Sequence, residues 1–336
     1  MICVVVEHLR FLATLALQKS GVPQADAASQ ADLLIEAELR GVPSHGLLRL
    51  PRVIRRIENG VADPKSRGMH IWRRDAFLEV DGQCGLGPIV ANAALDLLME
   101  RVVKTGVAVA AIRNSNHIGM LGWYAECVAA RGYTIIALST SEALVHPWGG
   151  RKAMLGTNPI AIGVPTGGHP FVMDAATSLV SMGEIHDHAL RGVPIPPDWA
   201  LDAAGNPTTD AAAAKTGSIA PFGKAKGYAL GLGFELLVSS LAAAAIGREV
   251  TGTLDDTSVC NKGDLFIVVD GPVRDLQQYL QEIRMAAPAE GFAEVLVPGE
   301  RGRLLREERL RNGVLLAEDL WEQIRELAAT DDVPQN

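Results

Sequence analysis

Apolar residues change their spacing near residue 70. Upstream, "PQADAASQADLLIEAELRG" places them at helical intervals and stops at Gly41. "LRLPRVIRRIENG" follows, with a proline near its start and Asn59-Gly60 as a stop signal. Downstream, short apolar runs alternate with longer helical patterns. "AFLEVDG" predicts a strand, "GPIVANAALDLLMERVVKTG" a helix, "VAVAAIRN" a strand ending at Asn114, "MLGWYAECVAARG" a helix and "YTIIALSTS" a strand. "PIAIGVPT" and "PFVMDAATS" predict two strands joined by the turn "GGHP", and "GDLFIVVD" and "AEVLVPG" predict two more. The segment "RGVPIPPDWALDAAGNPTTDAAAAKTG", rich in Pro, Gly and Asp, reads as a loop excursion rather than a packed element. Two helical stretches, "GRLLREERLRNG" and "LAEDLWEQIRELA", close the chain, their mixed Arg and Glu predicting a solvated face. This alternation of strand and helix predicts an α/β architecture.

One run changes the picture if it spans a membrane. Gly227 to Gly247, "GYALGLGFELLVSSLAAAAIG", is long enough, but Glu235 sits in its middle, where a charge is costly in hydrocarbon. A helix buried in a soluble core is the better reading, and no membrane partner is expected. The net charge of -8 gives a mildly acidic surface, which argues against a nucleic-acid partner held through clustered Lys and Arg. The four cysteines (Cys3, Cys84, Cys127, Cys260) form no C-x-x-C pair, and the N-terminus has no basic stretch or cleavage site of a secretory signal. A reduced, cytoplasmic protein is the natural expectation.

Candidate chemistry falls in loops. "DGQCGLG", Asp81 to Gly87, lies between a strand and a helix, but its spacing is G-x-x-G-x-G. No acidic residue ends a following strand, so it does not match the dinucleotide fingerprint. A tight turn whose glycines permit close backbone packing fits better. In "RGVPSHGLLRLPR", His45 and Arg49 stand at i and i+4, which would share one face of a helix. The ring titrates near neutrality, Ser44 can hold its tautomer, and Arg49 can fork onto a carboxylate. For the trio alone, a helix end with a solvated His and Arg is the favoured reading. Asn114, Ser115, Asn116 and His117 follow an apolar strand, where α/β proteins place ligands, although Asn and Ser are also ordinary caps. "HPWGGRKAMLGTNPIAIGVP" sets His146, Gly149, Gly150, Gly156, Thr157, Asn158 and Pro159 before a strand, which suits a small polar ligand or a packed turn. Asp174 at a strand end can orient a ribose or a nicotinamide amide, and Lys226 can meet a nucleotide phosphate. His186 and His188 make an H-x-H, with Glu184 or Asp187 as a third zinc ligand, but no further ligand pattern supports a metal.

Together, "RGVPSHGLLRLPR", "VDGQCGLG", "RNSNHIGMLGWYAE", "HPWGGRKAMLGTNPIAIGVPT", "VMDAATS", "IPPDWALDAAGNPTTD", "PFGKAKGY" and "VPGERGR" resemble the malate/L-lactate dehydrogenase-like family. That group has a non-Rossmann nicotinamide site and includes sulfolactate, malate and ureidoglycolate dehydrogenases, diketogulonate reductase and piperideine-2-carboxylate reductases. The resemblance implies a mixed sheet with a helical N-terminal region over 1–70 that packs with C-terminal helices over 301–336. A nucleotide- and substrate-binding α/β region would occupy 71–300, with a division near 141–250, and the assembly would be a homodimer. It also implies hydride exchange between NAD or NADP and C2 of a small 2-oxo or 2-hydroxy carboxylate, with cyclic imino acids as the alternative substrates. A nucleotide-binding protein without turnover is the reading from another class.

Carried over by motif, His45 is the general acid, supported by Ser44, and some members are credited with catalysis at the residue matching His117. Arg49 would take the substrate carboxylate and Thr157 the substrate. His117, Ile118, Gly119, Met120 and Leu121 would line the nicotinamide. Ser141, Asp174, Ala175, Ala176, Ala225, Lys226 and the loop Pro298, Gly299, Glu300 and Arg301 would hold the cofactor. Two departures stand out. Glu184 occupies a place where many members have Lys and the imine reductases Asp, so it is the expected acidic partner of the Ser44–His45 pair. Lys224 replaces the second glycine of "PFGG", an extra cation that would favour a 2'-phosphate.

Overall fold

In a computed structural model, which describes residues 1–329, the chain opens on a short strand rather than a helix. β1 (Ile2–Val4) is followed by α1 (Val6–Lys19), α2 (Gln24–Leu39), two 3-10 turns and α3 (Leu50–Glu58). Next come β2 (Met69–Arg74), β3 (Phe77–Asp81), α4 (Gly87–Thr105), β4 (Val107–Arg113), α5 (Leu121–Ala129) and β5 (Thr134–Ser139). The hairpin β6 (Ile160–Val164) and β7 (Phe171–Ala175) precedes α6 (Met182–Arg191), β8 (Ala200–Leu201), α7 (Ala211–Ala214), β9 (Ser218–Ile219) and α8 (Ala225–Ala242). β10 (Gly263–Val269), α9 (Gln277–Arg284), α10 (Glu300–Asn312), β11 (Val314–Leu316) and α11 (Glu318–Ala328) complete the described residues.

Seven strands form one mixed sheet in the order β2-β3-β4-β10-β5-β6-β7. β3 and β4 run parallel, as a strand–helix–strand crossover through α4 allows, and the other neighbours are antiparallel. β10 lies in the middle and is covered on both faces, which is why its sequence is an unbroken apolar run after Asp264. Leu95, Leu98, Ile112, Leu121 and Tyr124 fill the side beneath α4 and α5. Val238 and Ala242 of α8 pack on Ala111, Leu138 and Leu265 on the other. Among the described residues no helix is long and apolar enough to cross a membrane.

A separate core joins the two ends of the chain. β1 pairs antiparallel with β11, and α1 packs on α11 around Leu9, Leu17, Leu320 and Ile324. Arg306 of α10 forks onto Glu36 of α2, with two N–O distances of 2.8 Å. Residues 330–336 of the expected C-terminal unit lie outside the described residues.

Two sequence expectations are corrected. "AEVLVPG" forms no strand: Ala293, Glu294 and Leu296 are exposed, and the Val297 N–H donates to the Glu300 carboxylate at 2.8 Å instead of to a neighbouring strand. The Pro- and Gly-rich excursion is packed rather than loose. Its Ile195, Ala200, Ala211 and Ala214 bury against Ile185 and Ile219 as a satellite core. Isolated apolar residues at irregular intervals build that core, and no periodicity announces it.

Candidate active site

The segment carrying His45 is not one helix. Pro43–His45 and Leu47–Arg49 are separate 3-10 turns broken at Gly46, which corrects the expected shared helix face. The break brings the pair together by another route. Arg49 folds back so that its Nε donates to the Ser44 carbonyl at 2.8 Å, and Nη1 reaches the Thr253 carbonyl at 3.3 Å. Ser44 Oγ stands 3.0 Å from His45 Nδ1, leaving Nε2 without a partner in the described chain. Beneath the turn, the buried Glu38 carboxylate accepts the Leu47 N–H at 2.8 Å, and a side chain on Gly46 would collide with it. Glu38 therefore sets the path of the His45 segment, though it reads in the sequence as one of several ordinary acidic helix positions.

Nearly every residue of the loop after β4 is tied down. Asn114 takes a left-handed conformation (φ 53°) and donates to Asp81. Ser115 donates to Asp264, and Asn116 donates to the Cys84 and Gly85 carbonyls while accepting from Arg56 Nε at 2.8 Å. The Gly119 N–H donates to His117 Nδ1 at 3.0 Å, so the neutral ring carries its proton on Nε2. The Tyr124 hydroxyl holds the Ile118 carbonyl at 2.6 Å. The glycines of "DGQCGLG" have their explanation here. A Cβ on Gly82 would lie 2.7 Å from Ser115 Cβ, and one on Gly87 would lie 2.4 Å from the His117 carbonyl. They let the β3–α4 turn press against the His117 loop, as close backbone packing requires.

His45 and His117 meet with ring centroids 5.3 Å apart. Burial, and then the charge of Arg49, bring His45 down to about 4. Burial followed by Arg49, His45, Lys262 and Arg52 holds His117 well below the usual range of a histidine. Both rings are therefore neutral in the free protein near pH 7. Arg49, depressed by burial and by Arg52, has no acidic partner among the described residues. A carboxylate ligand would supply its missing counter-charge.

Asp174 ends β7, and its carboxyl is tucked under the start of α5, where Oδ2 accepts the Gly122 N–H at 2.6 Å. Asp174 is exposed as a residue, but desolvation of its carboxyl against the start of α5 pushes it up to about 6 against the bond from Gly122. Ala175 and Ala176 lie exposed at the strand end. Ser141 Oγ accepts the Thr157 N–H at 3.0 Å, and Glu235 braces this loop by accepting Asn158 Nδ2 at 2.6 Å. The charge in the middle of the apolar helix α8 is thus fully buried and occupied. Ala225 and Lys226 open α8, both exposed, and Lys224 before them holds φ 59°, a conformation suited to the glycine it replaces. Pro298, Gly299 and Arg301 are exposed, whereas Glu300 is buried and bound by Arg284 Nε at 2.7 Å and the Val297 N–H. Its carboxylate braces the loop instead of facing a ligand.

Glu184 stands in the first turn of α6, one residue after Gly183, where a Cβ would lie 3.4 Å from Ser44 Cβ. Its carboxylate lies 3.6 Å from His188 Nδ1, and no hydrogen bond joins it to Ser44 or His45 among the described residues. On this helix His186 and His188 project about 200° apart. The acids instead gather with His188: the exposed Glu184 and Asp187 and the half-buried His188 form a group without His186.

A profile of the malate/L-lactate dehydrogenase family matches residues 4–325. The chain belongs to that family. It is 36% identical over 319 residues to the L-sulfolactate dehydrogenase of Methanocaldococcus jannaschii, covering 93% of this chain and 92% of that one. It is 34% identical over 321 residues to a Delta(1)-pyrroline-2-carboxylate reductase of Pseudomonas fluorescens, covering 93% and 94%. The crystal structure of a dehydrogenase from Sinorhizobium meliloti superposes with a TM-score of 0.94 at 49% identity, covering 98% of each chain. This malate/L-lactate dehydrogenase relative is accordingly an NAD(P)-dependent oxidoreductase. Besides Glu38 and Tyr124, sequence reasoning missed Lys262 and Asp264. Their signal was a pair of charges at i and i+2 directly before the apolar run of β10.

Proposed function

We propose that the enzyme reduces C2 of a small 2-oxo acid, with His45 as proton donor, Arg49 as carboxylate clamp and His117 beside the nicotinamide. One observation carries the assignment: two neutral rings, each with a free Nε2, lie beside a guanidinium that lacks an acidic partner. NAD or NADP supplies or accepts the hydride. The protein's share is to hold the acid by Arg49 and Thr157, to orient its C2 oxygen toward His45, and to deliver a proton there. An unpartnered carboxylate oxygen supports the cofactor assignment to Asp174. Asp174 Oδ1 has no partner in the described chain, and a carboxyl titrating near 6 can both donate to and accept from a carboxamide. Glu184, one residue from the Gly183–Ser44 contact, remains the proposed acidic partner of Ser44–His45.

The test follows nicotinamide absorbance with a panel of 2-oxo acids, cyclic imino acids and 2-hydroxy acids. Turnover of at least one 2-oxo acid is the expected result. Turnover confined to cyclic imines would move the substrate class, and nucleotide binding without any turnover would overturn the reductase reading.

We also infer a homodimer built on α8 in a reducing, cytoplasmic setting. Leu230, Leu236, Leu237 and Leu241 line one side of α8 and are each at least 39% exposed, while Val238 and Ala242 on the other side are buried. Exposed leucines clustered on the solvent side of a helix are the mark of an interface, and a two-fold axis lets one patch cover itself. All four cysteines are free, which suits a reducing compartment. Leu237→Glu is expected to convert a sedimenting dimer to monomer. Wild-type protein that sediments as a monomer at micromolar concentration would refute the interface.

A further inference from the structure

Lys262 and Asp264 lie at the start of the central strand β10, exposed by only 1% and 0%. Lys262 Nζ bonds both carboxylate oxygens of Asp264, at 2.6 Å to Oδ1. A buried pair of this kind is a poor source of net stability, because desolvating two ions offsets their attraction. Its other bonds show what it does. Asp264 Oδ1 accepts the Ser139 hydroxyl at 2.7 Å, and Oδ2 accepts the Ser115 hydroxyl at 3.1 Å.

Ser139 ends β5, and Ser115 lies in the loop that follows β4, the two strands that flank β10. Asp264 stands opposite Ile112 of β4 on one side and Ser139 of β5 on the other. Ser115 precedes His117 by two residues. Ser139 precedes by two the Ser141 whose hydroxyl accepts the Thr157 N–H. One carboxylate therefore bridges the loop that carries the nicotinamide-side histidine and the segment that carries the substrate-side threonine. An ionised carboxylate offers acceptors alone, so it can take both hydroxyls at once, and Lys262 supplies the counter-charge that its burial requires.

We propose that Asp264, neutralised by Lys262, is a positioning residue that fixes the spacing between the His117 loop and the Ser141–Thr157 segment. The inference rests on the roles proposed above for His117 and Thr157. Neither Lys262 nor Asp264 touches the reacting atoms; the pair acts through Ser115 and Ser139.

The test compares two double variants that remove the same charges. In K262M/D264N the amide can still accept from one serine and donate to the other. In K262M/D264L nothing bridges them. With the acid that turns over best, K262M/D264L is expected to lose kcat on the order of 30- to 100-fold, the scale of an ångström-level misplacement. Nucleotide Kd should stay within about threefold, as expected when ground-state binding is spared. K262M/D264N should recover about tenfold of the lost kcat through its restored bridge. Equal kcat in the two variants at equal thermal midpoints would overturn the proposal. If either double fails to fold, S115A/S139A removes the bridge and leaves the ion pair intact. It should show the same loss of kcat, and wild-type kcat in that variant would equally overturn the proposal. Wild-type turnover in the same assay separates failure of this inference from failure of the reductase reading.

Discussion

His45→Ala is expected to lower turnover by roughly 10²- to 10⁴-fold, the range of a positioned general acid, while nucleotide affinity stays within about threefold. The ring is held by Ser44 at Nδ1 and presents a free Nε2, so truncation removes the proton donor and little else. Its pH dependence has a definite sign. In the free enzyme burial and Arg49 bring His45 to about 4, so the neutral ring is ready to take a proton from a hydroxy acid over the whole neutral range. Reduction needs the protonated ring, so kcat/KM for a 2-oxo acid should rise as the pH falls through neutrality. A substrate carboxylate on Arg49 cancels the charge that depresses the ring, and binding thereby raises its proton affinity. Stability moves the opposite way. The unfolded ring titrates near 6.5 and the folded one near 4, so the fold loses stability as the pH falls between those values. A His45→Ala enzyme with wild-type kcat would remove this residue from the chemistry.

Arg49→Ala is expected to raise KM for carboxylate substrates by about 10- to 150-fold, corresponding to the roughly 1.5–3 kcal/mol of a hydrogen bond to a charged group. Part of the effect will be indirect, because Arg49 Nε also holds the Ser44 carbonyl behind the His45 turn. Arg49→Lys separates the two contributions: it keeps the charge but has no planar fork to grip Ser44 and a carboxylate together. The lysine variant should therefore recover KM only in part and keep a lowered kcat. Removing the cation also lifts a repulsion from His45, so the alanine variant should show its acid limb at higher pH. Steady-state kinetics of both variants on one substrate decide the matter, and an unchanged KM in Arg49→Ala would exclude the clamp.

The sequence made local regularities legible and distant pairings illegible. α4, β4, α5, β5 and β10 follow from apolar spacing, since each buries a face whose period is written in its own residues. β1 and β11 are three residues each and exist because they pair with one another across the whole length of the chain. β2, with Arg73 and Arg74 at a sheet edge, carries charges that guard the edge and mask the strand. The candidate site was legible as motifs in order, but not as geometry. Nothing in "SHGLLR" announces a break at Gly46, because the break is enforced by Glu38 from a neighbouring helix. Lys262 and Asp264 read as a charged strand start, since only the register of β10 against β4 and β5 places them behind the His117 loop.

The fork of Arg306 on Glu36 has a consequence for how the enzyme comes into being. α2 supports the His45 turn through Glu38, and α2 is itself held by a residue 270 positions later in the chain. A polypeptide emerging from the ribosome presents the acid-bearing wall long before the arginine that braces it exists. The sheet can condense while synthesis continues, but the wall must wait for α10, α11 and β11 to return to it. With His45 as the proposed proton donor, the acid-bearing wall is expected to reach its final form only once α10 has been made, so a chain terminated before Arg306 should lack the brace on α2.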